Sequence, residues 1–462
     1  MTCIGGPSKG GRSTERSELD QQTEPNTATA RRRLSLPPAL KYPAYRAYWL
    51  GMLASVSGFQ MYRAAQAWFV YDLTGSPLWL GIAAASNAVP AIFFNLFGGV
   101  FADKVDKRRL IIVTQIMSGG LIFLLATLTL LGIAEVWHVL AIAFLAGAVE
   151  AFDTPARQAI YPHLIDRRVM MSAVALNSSI WSGNRIIAPA VAGLIIAVSN
   201  METAFFVAGT GFIVMAAVMF RLKIAHIEPG ATGSPVRNLI EGLDYIRTNF
   251  LFTFLIGMTF FNSFFGMAYV FLMPVFAQDI LNLGPSAYGI LLSAGGVGSL
   301  LTTVGIGYAS NDRYKGLLII GGAVLFGLLL IVFALTSEFV GSFPLAMGLL
   351  FLMGISTSTY MISIQSSLQI MVPDGMRGRV MGFYGMTWSI MPLGGLQAGA
   401  LAQFTSAPLA LVAGGIAVVA FALGPALLNG RIRNMGGGLS LPEAEAAPTD
   451  EAATPAHATG ND

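Results

Sequence analysis

Three charged side chains, Arg63, Glu150 and Arg185, stand inside long apolar stretches of a 462-residue chain. If those stretches cross a bilayer, an ionisable group at mid-depth costs at least about 2.5–3.5 kcal/mol on insertion scales, so it must face water or a partner. A carboxylate so placed can take up and release a proton. Two guanidiniums can hold an anion or bias that carboxylate. Glu150 is therefore the candidate proton-coupling group, and Arg63 and Arg185 are candidate substrate-binding or tuning groups. A fixed Glu150–Arg185 pair bracing two helices is the alternative. Every Asp, Glu, Lys and Arg of the second half lies outside its apolar stretches, so charge recognition is expected in the first half.

The stretches that must position these groups dominate the composition. Hydrophobic residues make up 55% of the chain and charged residues 11%, against about 25% charged in soluble domains. Leu110–Gly132 and Leu317–Leu335 contain no ionisable side chain, and a spanning helix needs about 20 apolar residues. Twelve such stretches can be delimited. The expected fold is an all-α membrane protein with two six-helix bundles at 47–222 and 251–430. Polar segments 1–46 and 431–462 are expected to be disordered arms. Between the bundles, 223–250 holds the run EPGATGSP and an amphipathic stretch, Val236–Thr248. Its Leu239, Ile240, Leu243 and Ile246 share one side, which suits a helix lying on the membrane surface.

Charge placement orients the chain. With a cytosolic N-terminus, 25 of the 27 Lys and Arg residues fall in inner loops and tails. The outer loops hold Asp72, Glu135, Glu202, Asp279 and Glu338 instead. The positive-inside bias then predicts a multi-pass protein of a bacterial inner membrane with both termini in the cytosol. Tyr45, Tyr48 and Trp49 at one end of the first stretch, with Trp68, Tyr71 and Trp79 at the other, fit interfacial anchors. An internal repeat is also present. Pro77-x-x-x-Gly81 matches Pro285-x-x-x-Gly289 at an offset of 208, and Gly147 and Gln158 match Gly354 and Gln365 at 207. Duplicated halves with a site between them near midplane are a common transporter layout.

Gly98–Arg109 reads GGVFADKVDKRR. Its Gly99, Asp103, Lys104, Lys107, Arg108 and Arg109 resemble the loop joining the second and third helices of the major facilitator superfamily. Asp106 stands where that pattern has glycine. The strings FDTPARQ, NSSIWSGNRIIAPAVAGL and RGRVMGFYGMTWSIMPLGGLQAGAL are similar to the branch containing the enterobactin (siderophore) exporter and macrolide efflux proteins. The likeness runs from about Tyr42 to Asn429. It implies that Asp103 faces the N-terminus of the eleventh helix and pairs with nearby arginines, latching the cytosolic side. Asp153, Pro155 and Arg157, also toward that side, are assigned to a second latch. Ala188-Pro189-x-x-Ala192-Gly193 matches the antiporter signature of the fifth helix in part, with Asn184 at its earlier glycine.

Pro189 and Pro392 are expected to kink their helices. Phe260, Phe261, Phe264, Phe265 and Tyr269 are read first as packing groups, with the wall of a solute cavity as the alternative. The chain carries no H-E-x-x-H zinc motif and no G-x-x-x-x-G-K-[ST] phosphate loop, and has only four histidines. Enzymatic chemistry, a metal, an organic cofactor and nucleic-acid binding are not expected. The leading function is proton-coupled efflux of a siderophore-like or drug-like small molecule by a monomer in the lipid bilayer. Proton-linked uptake, or a non-transporting membrane sensor, are the alternatives.

Overall fold

The computed structural model describes residues 36–222, 235–309 and 315–428, with Thr2 in isolation; side chains at 95–104, 235–239, 304, 306–309 and 428 lie outside the described set. The expected arms, apart from residues 36–46, and most of EPGATGSP also fall outside it.

The first set of helices is α1 (Pro43–Thr74), α2 (Pro77–Lys104), α3 (Lys107–Leu130), α4 (Val136–Ile160), α5 (Met170–Val198) and α6 (Met201–Arg221). Local signals delimit them. Prolines occupy the first turns of α1 and α2, where a missing N–H costs nothing. Gly75 ends α1 in the left-handed region at φ 58°. Asp106 caps α3, its carboxylate accepting from the N–H groups of Arg108 and Arg109 at 2.9 and 3.2 Å. The glycine of the family pattern is thus replaced by an N-cap.

After α7 (Pro235–Thr248), the second set begins with a segmented rod: α8 (Phe250–Phe261), a π-helical turn, α9 (Tyr269–Val275) and a second π-helical turn ending at Ile280. Then follow α10 (Pro285–Ala309), α11 (Lys315–Phe339), α12 (Phe343–Met371), α13 (Asp374–Ser389), α14 (Met391–Phe404) and α15 (Ala407–Leu428). Among the described residues, nine helical segments are long and apolar enough to cross a membrane, against the twelve expected. The others have identifiable interruptions: α1 carries Arg46, Arg63 and two glutamines, α10 is rich in Gly, Ser and Thr, and α13 and α14 are halves of one rod broken at Ile390. The fold class is the expected one, all-helical among the described residues, with two pseudo-symmetric sets.

The sequence repeat is realised as repeated helix crossings. A Cβ on Gly147 would collide with the Asn87 carbonyl of α2, and a Cβ on Gly354 with the Gly295 carbonyl of α10. Small residues of this kind let helix backbones approach closely in a membrane. The two P-x-x-x-G motifs form matching seams between the sets. Gly399 on α14 would bring a Cβ within 2.5 Å of the Pro77 carbonyl, and Gly193 on α5 meets Pro285 in the same way. Gly81 rests on Leu396, and Gly289 on Pro189.

One end of the molecule carries the basic loops around Lys107–Arg109, Arg167–Arg168 and Arg377–Arg379; the other carries Asp72, Glu135, Glu202 and Glu338. Described hydrogen bonds between the two sets lie in the acidic half. The Tyr71 hydroxyl donates to Asp279. Ser76 Oγ donates to Gln403 at 2.6 Å, and Tyr288 Oη to the Ala64 carbonyl at 3.2 Å. The expected aromatic anchors are mostly interior. Tyr45, Tyr48, Trp68 and Tyr71 are buried, because their polar atoms or ring edges meet protein groups, as when Tyr45 Oη donates to the Ala173 carbonyl at 3.0 Å. Outside the spans, Tyr42 Oη donates to Asp166 at 2.6 Å. That hydrogen bond to a carboxylate raises the phenol pKa above its ordinary value. Helix α7 docks on α13 through Arg379 and Glu241 at 2.8 Å, with Ile246 buried and Ile240 exposed.

Candidate functional site

A cavity of approximately 500 Å³ lies between the sets. On α1, Gln60, Arg63, Ala64 and Ala67 line it at helical spacings of three and four, so they form one stripe. Trp181, Arg185 and Pro189 do the same on α5. Facing them, Tyr269, Phe271, Tyr288 and Trp388 come from the second set. Arg63 and Arg185 therefore meet in one chamber, and the described lining contains no carboxylate to neutralise them. The Arg63 guanidinium lies over the Phe59 ring, 5.6 Å from its centroid.

Glu150 is elsewhere. It lines a second cavity, approximately 80 Å³, formed by helices of the first set with Tyr62, Ser118, Asp153, Arg157 and Trp181; Thr154, Gln158 and Trp181 in its wall are exposed. The alternative Glu150–Arg185 brace is not formed, since α5 turns Arg185 toward the central chamber. The charged groups that act electrostatically on Glu150 are Arg63, Arg157 and Asp153. Tyr62 Oη, on the same cavity, is buried and finds no protein hydrogen-bond partner.

Asp153 and Arg157 form a buried network inside the first set. Asp153 pairs with Arg157 one turn along α4, with side-chain exposures of 3% and 14%. Its carboxylate also accepts from Thr114 Oγ1 at 2.7 Å and Gln115 Nε2 at 3.0 Å on α3. Ser55 Oγ on α1 donates to Gln115 at 2.8 Å and accepts from Arg157 at 3.3 Å. Tyr48 Oη donates to the Arg157 carbonyl at 3.1 Å. Each of these partners belongs to the first set. Pro155 lies between the two charges, within α4.

Of the other expected latch residues, Gly99, Asp103 and Lys104 belong to the helical end of α2 whose side chains lie outside the described residues. Arg108 reaches the C-terminus of α6, donating to the carbonyls of Met219 and Phe220 at 2.9 and 2.6 Å, where a cation complements the helix dipole. Arg109 is exposed, 3.8 Å from Asp106. Helix α5 continues through Pro189. The eleventh rod breaks at Ile390, so Pro392 sits in the first turn of α14. Among the five aromatics of the seventh rod, Tyr269 lines the central cavity. The phenylalanines stack instead, Phe261 on Phe421 at 4.0 Å and Phe260 on Phe264 at 5.6 Å.

Trp181, Trp388, Gln60, Thr114, Gln115 and Ser55 were not singled out from the sequence. The spacing Trp181–Arg185 was the one available signal, since residues four apart share a helix face. Among the described residues, no group of three or more His, Cys, Asp or Glu is placed to hold a metal ion.

The family model described as "Transmembrane secretion effector" matches residues 35–448. The staphyloferrin A transporter of Staphylococcus aureus (strain NCTC 8325 / PS 47) is 30% identical over 247 residues, 51% of this chain and 60% of that transporter's own length. Macrolide efflux protein A of Streptococcus pyogenes is 24% identical over 75% of this chain and 86% of that protein. The enterobactin exporter EntS of Shigella dysenteriae serotype 1 is 21% identical over 76% and 83%. Among solved structures, the nucleoside transporter NupG (D323A mutant) superposes with a TM-score of 0.67 at 13% identity, covering 83% of this chain and 99% of that one. A bacterial homologue of the human lysosomal transporter Spinster, inward-facing and occupied, gives 0.67 at 12% identity, with coverages of 86% and 98%.

Proposed function

The chain belongs to the transmembrane secretion effector family of the major facilitator superfamily, and on that premise we propose that it exports a small anionic or polyhydroxylated solute in exchange for protons. One observation carries this reading: the chamber between the sets holds Arg63 and Arg185 with no carboxylate in its described lining. Two guanidiniums with no carboxylate beside them in the described lining favour an anion, because charge-assisted hydrogen bonds are about twice as strong as neutral ones. The facing aromatic rings suit flat or apolar parts of the same solute. Relatives named for siderophores and macrolides support a small organic solute.

The positive-inside bias puts the basic end in the cytosol. Hydrogen bonds and small-residue seams close the acidic half, so this conformation is the one that loads from the cytosol. Rocking the sets about the chamber would break Tyr71–Asp279 and release the solute outside. Glu150 is the proton carrier in this scheme. It sits apart from the solute cavity, with Arg63 and Arg157 near enough to register its charge.

Everted membrane vesicles test the proposal. An inward-acid pH gradient is expected to drive accumulation of a carboxylate or catecholate siderophore, with a macrolide as the non-anionic comparison. Glu150→Gln is expected to lower that gradient-driven rate at least about tenfold, equivalent to roughly 1.4 kcal/mol in the barrier, while binding persists. Arg63→Gln with Arg185→Gln is expected to abolish binding of the anion. Full gradient dependence in a folded Glu150→Gln protein removes Glu150 from the mechanism. Accumulation only in right-side-out vesicles reverses the direction.

A further inference from the structure

Trp181 is the single residue shared by the described linings of the two cavities. Its ring meets Phe59 edge to face, with centroids 6.3 Å apart and planes at 79°. Phe59, which lines the Glu150 cavity, carries the Arg63 guanidinium over its ring at 5.6 Å. Arg63 faces the solute chamber, one helical turn from Phe59. Guanidinium, Phe59 and Trp181 thus stand in series between the place where a solute anion would bind and the place where Glu150 resides.

We infer that Trp181, steadied by Phe59, is a partition operated by the solute, opening a proton route between the Glu150 cavity and the central chamber when an anion engages Arg63. The physical reason is a contest of unequal contacts. A cation over an aromatic face and an edge-to-face ring pair are both weak beside a charge-assisted bond from a guanidinium to an anion. A bound anion draws Arg63 off Phe59, and the Phe59–Trp181 pair loses its support. The Glu150 side is suited to water: about 80 Å³ accommodates several molecules. Tyr62 Oη, 2% exposed as a residue, has no protein partner there, and Ser118, Thr154 and Gln158 add polar lining. Tyr62 from α1 and Asp153 and Arg157 from α4 share the cavity of Glu150, and Arg63 of α1 acts on it from the chamber side. With the partition open, the Glu150 carboxyl hands its proton to chamber water and keeps a carboxylate beside two guanidiniums. With it shut, the direct path between the two cavities is closed. Tight exchange then follows from the fold, with no need for the solute to touch Glu150.

The inference rests on the proposed role of Glu150, and the experiment separates the two. The full chain is reconstituted in liposomes enclosing a pH-sensitive dye, and a pH gradient is imposed with no solute present. Trp181→Ala is expected to leak protons at least about tenfold faster than the parent. The double variant Trp181→Ala/Glu150→Gln is expected to be as tight as the parent. A tight Trp181→Ala protein overturns the partition. A leak that survives in the double variant keeps the partition and removes Glu150 as the carrier. A second measurement leaves Trp181 intact: Ser118→Cys and Gln60→Cys, each combined with Cys3→Ser, are treated with a water-soluble thiol reagent. Ser118→Cys is expected to react at least about tenfold more slowly, as for a site behind a barrier. Equal reactivity at the two positions overturns the proposal.

Discussion

Asp153→Ala is expected to destabilise the first set by about 3–5 kcal/mol, the cost of stranding a buried partner of an ion pair. The carboxylate holds Arg157, Thr114 and Gln115 together. Without it, the Arg157 guanidinium, only 14% exposed, keeps one described hydrogen bond, to Ser55 at 3.3 Å. The unsatisfied charge, more than the lost attraction, sets the size of the effect. A double change, Asp153→Leu with Arg157→Met, should therefore recover much of the loss, because an apolar pair leaves neither charge exposed to low dielectric. Thermal unfolding of purified protein in detergent reads both. A single variant that melts with the parent, or a double variant less stable than the single one, contradicts the account. This network joins α1, α3 and α4, and its Asp153 and Arg157 line the Glu150 cavity, so the single variant is also expected to disturb the wall of that cavity.

Gly193→Ala and Gly289→Ala are expected to hold the transporter open at its acidic end. The side chain has nowhere to go: a Cβ at Gly193 runs into the Pro285 carbonyl, and one at Gly289 into the Pro189 carbonyl. Both obstacles are backbone on another helix, which cannot rotate aside as a side chain can. Closing the α5–α10 seam would then demand separation of the two helices along their length. Shifting a two-state equilibrium from 1:99 to 99:1 takes about 5.5 kcal/mol, and a backbone overlap at a rigid seam can supply a penalty of that order. Transport should fall at least about a hundredfold, a barrier increase of roughly 2.7 kcal/mol. Cysteines at Tyr71 and Asp279, whose side chains meet in the closed seam, joined by a short bifunctional thiol reagent because a direct disulfide needs Cα atoms within about 7 Å, should lose that cross-link in either variant. Parental cross-linking together with parental transport would show that the seam tolerates the methyl group.

The repeat shows where sequence stops. Pro77-x-x-x-Gly81 and Pro285-x-x-x-Gly289 were legible as a duplication, but their task was not. Each meets a small-residue stretch on the other set, α14 in one case and α5 in the other, and neither partner is a neighbour in sequence. Likewise the loop after α2 was legible as a motif. The use of Arg108 to cap α6 depended on the carbonyl of Phe220, 112 residues later in the last turn of that helix. The tyrosines at the ends of α1 looked like lipid-interface anchors because an amphipathic ring serves equally well against headgroups or against a buried carbonyl. Packing chose the second.

Composition and periodicity were enough for the membrane class, the all-helical architecture and the two related sets, because hydrocarbon demands long apolar helices whatever their neighbours. They were also enough to pick out Arg63, Glu150 and Arg185, since a charge in an apolar run is costly wherever it points. The rotation of each helix about its axis and the pairing of helices across the molecule belong to the tertiary structure alone. Those two variables put both arginines in one chamber, moved Glu150 into another and set Trp181 between them. A few tens of degrees in the rotation of α4 or α5 would rearrange all three without altering the apolar pattern, because helical spacing defines faces and only packing decides what each face meets.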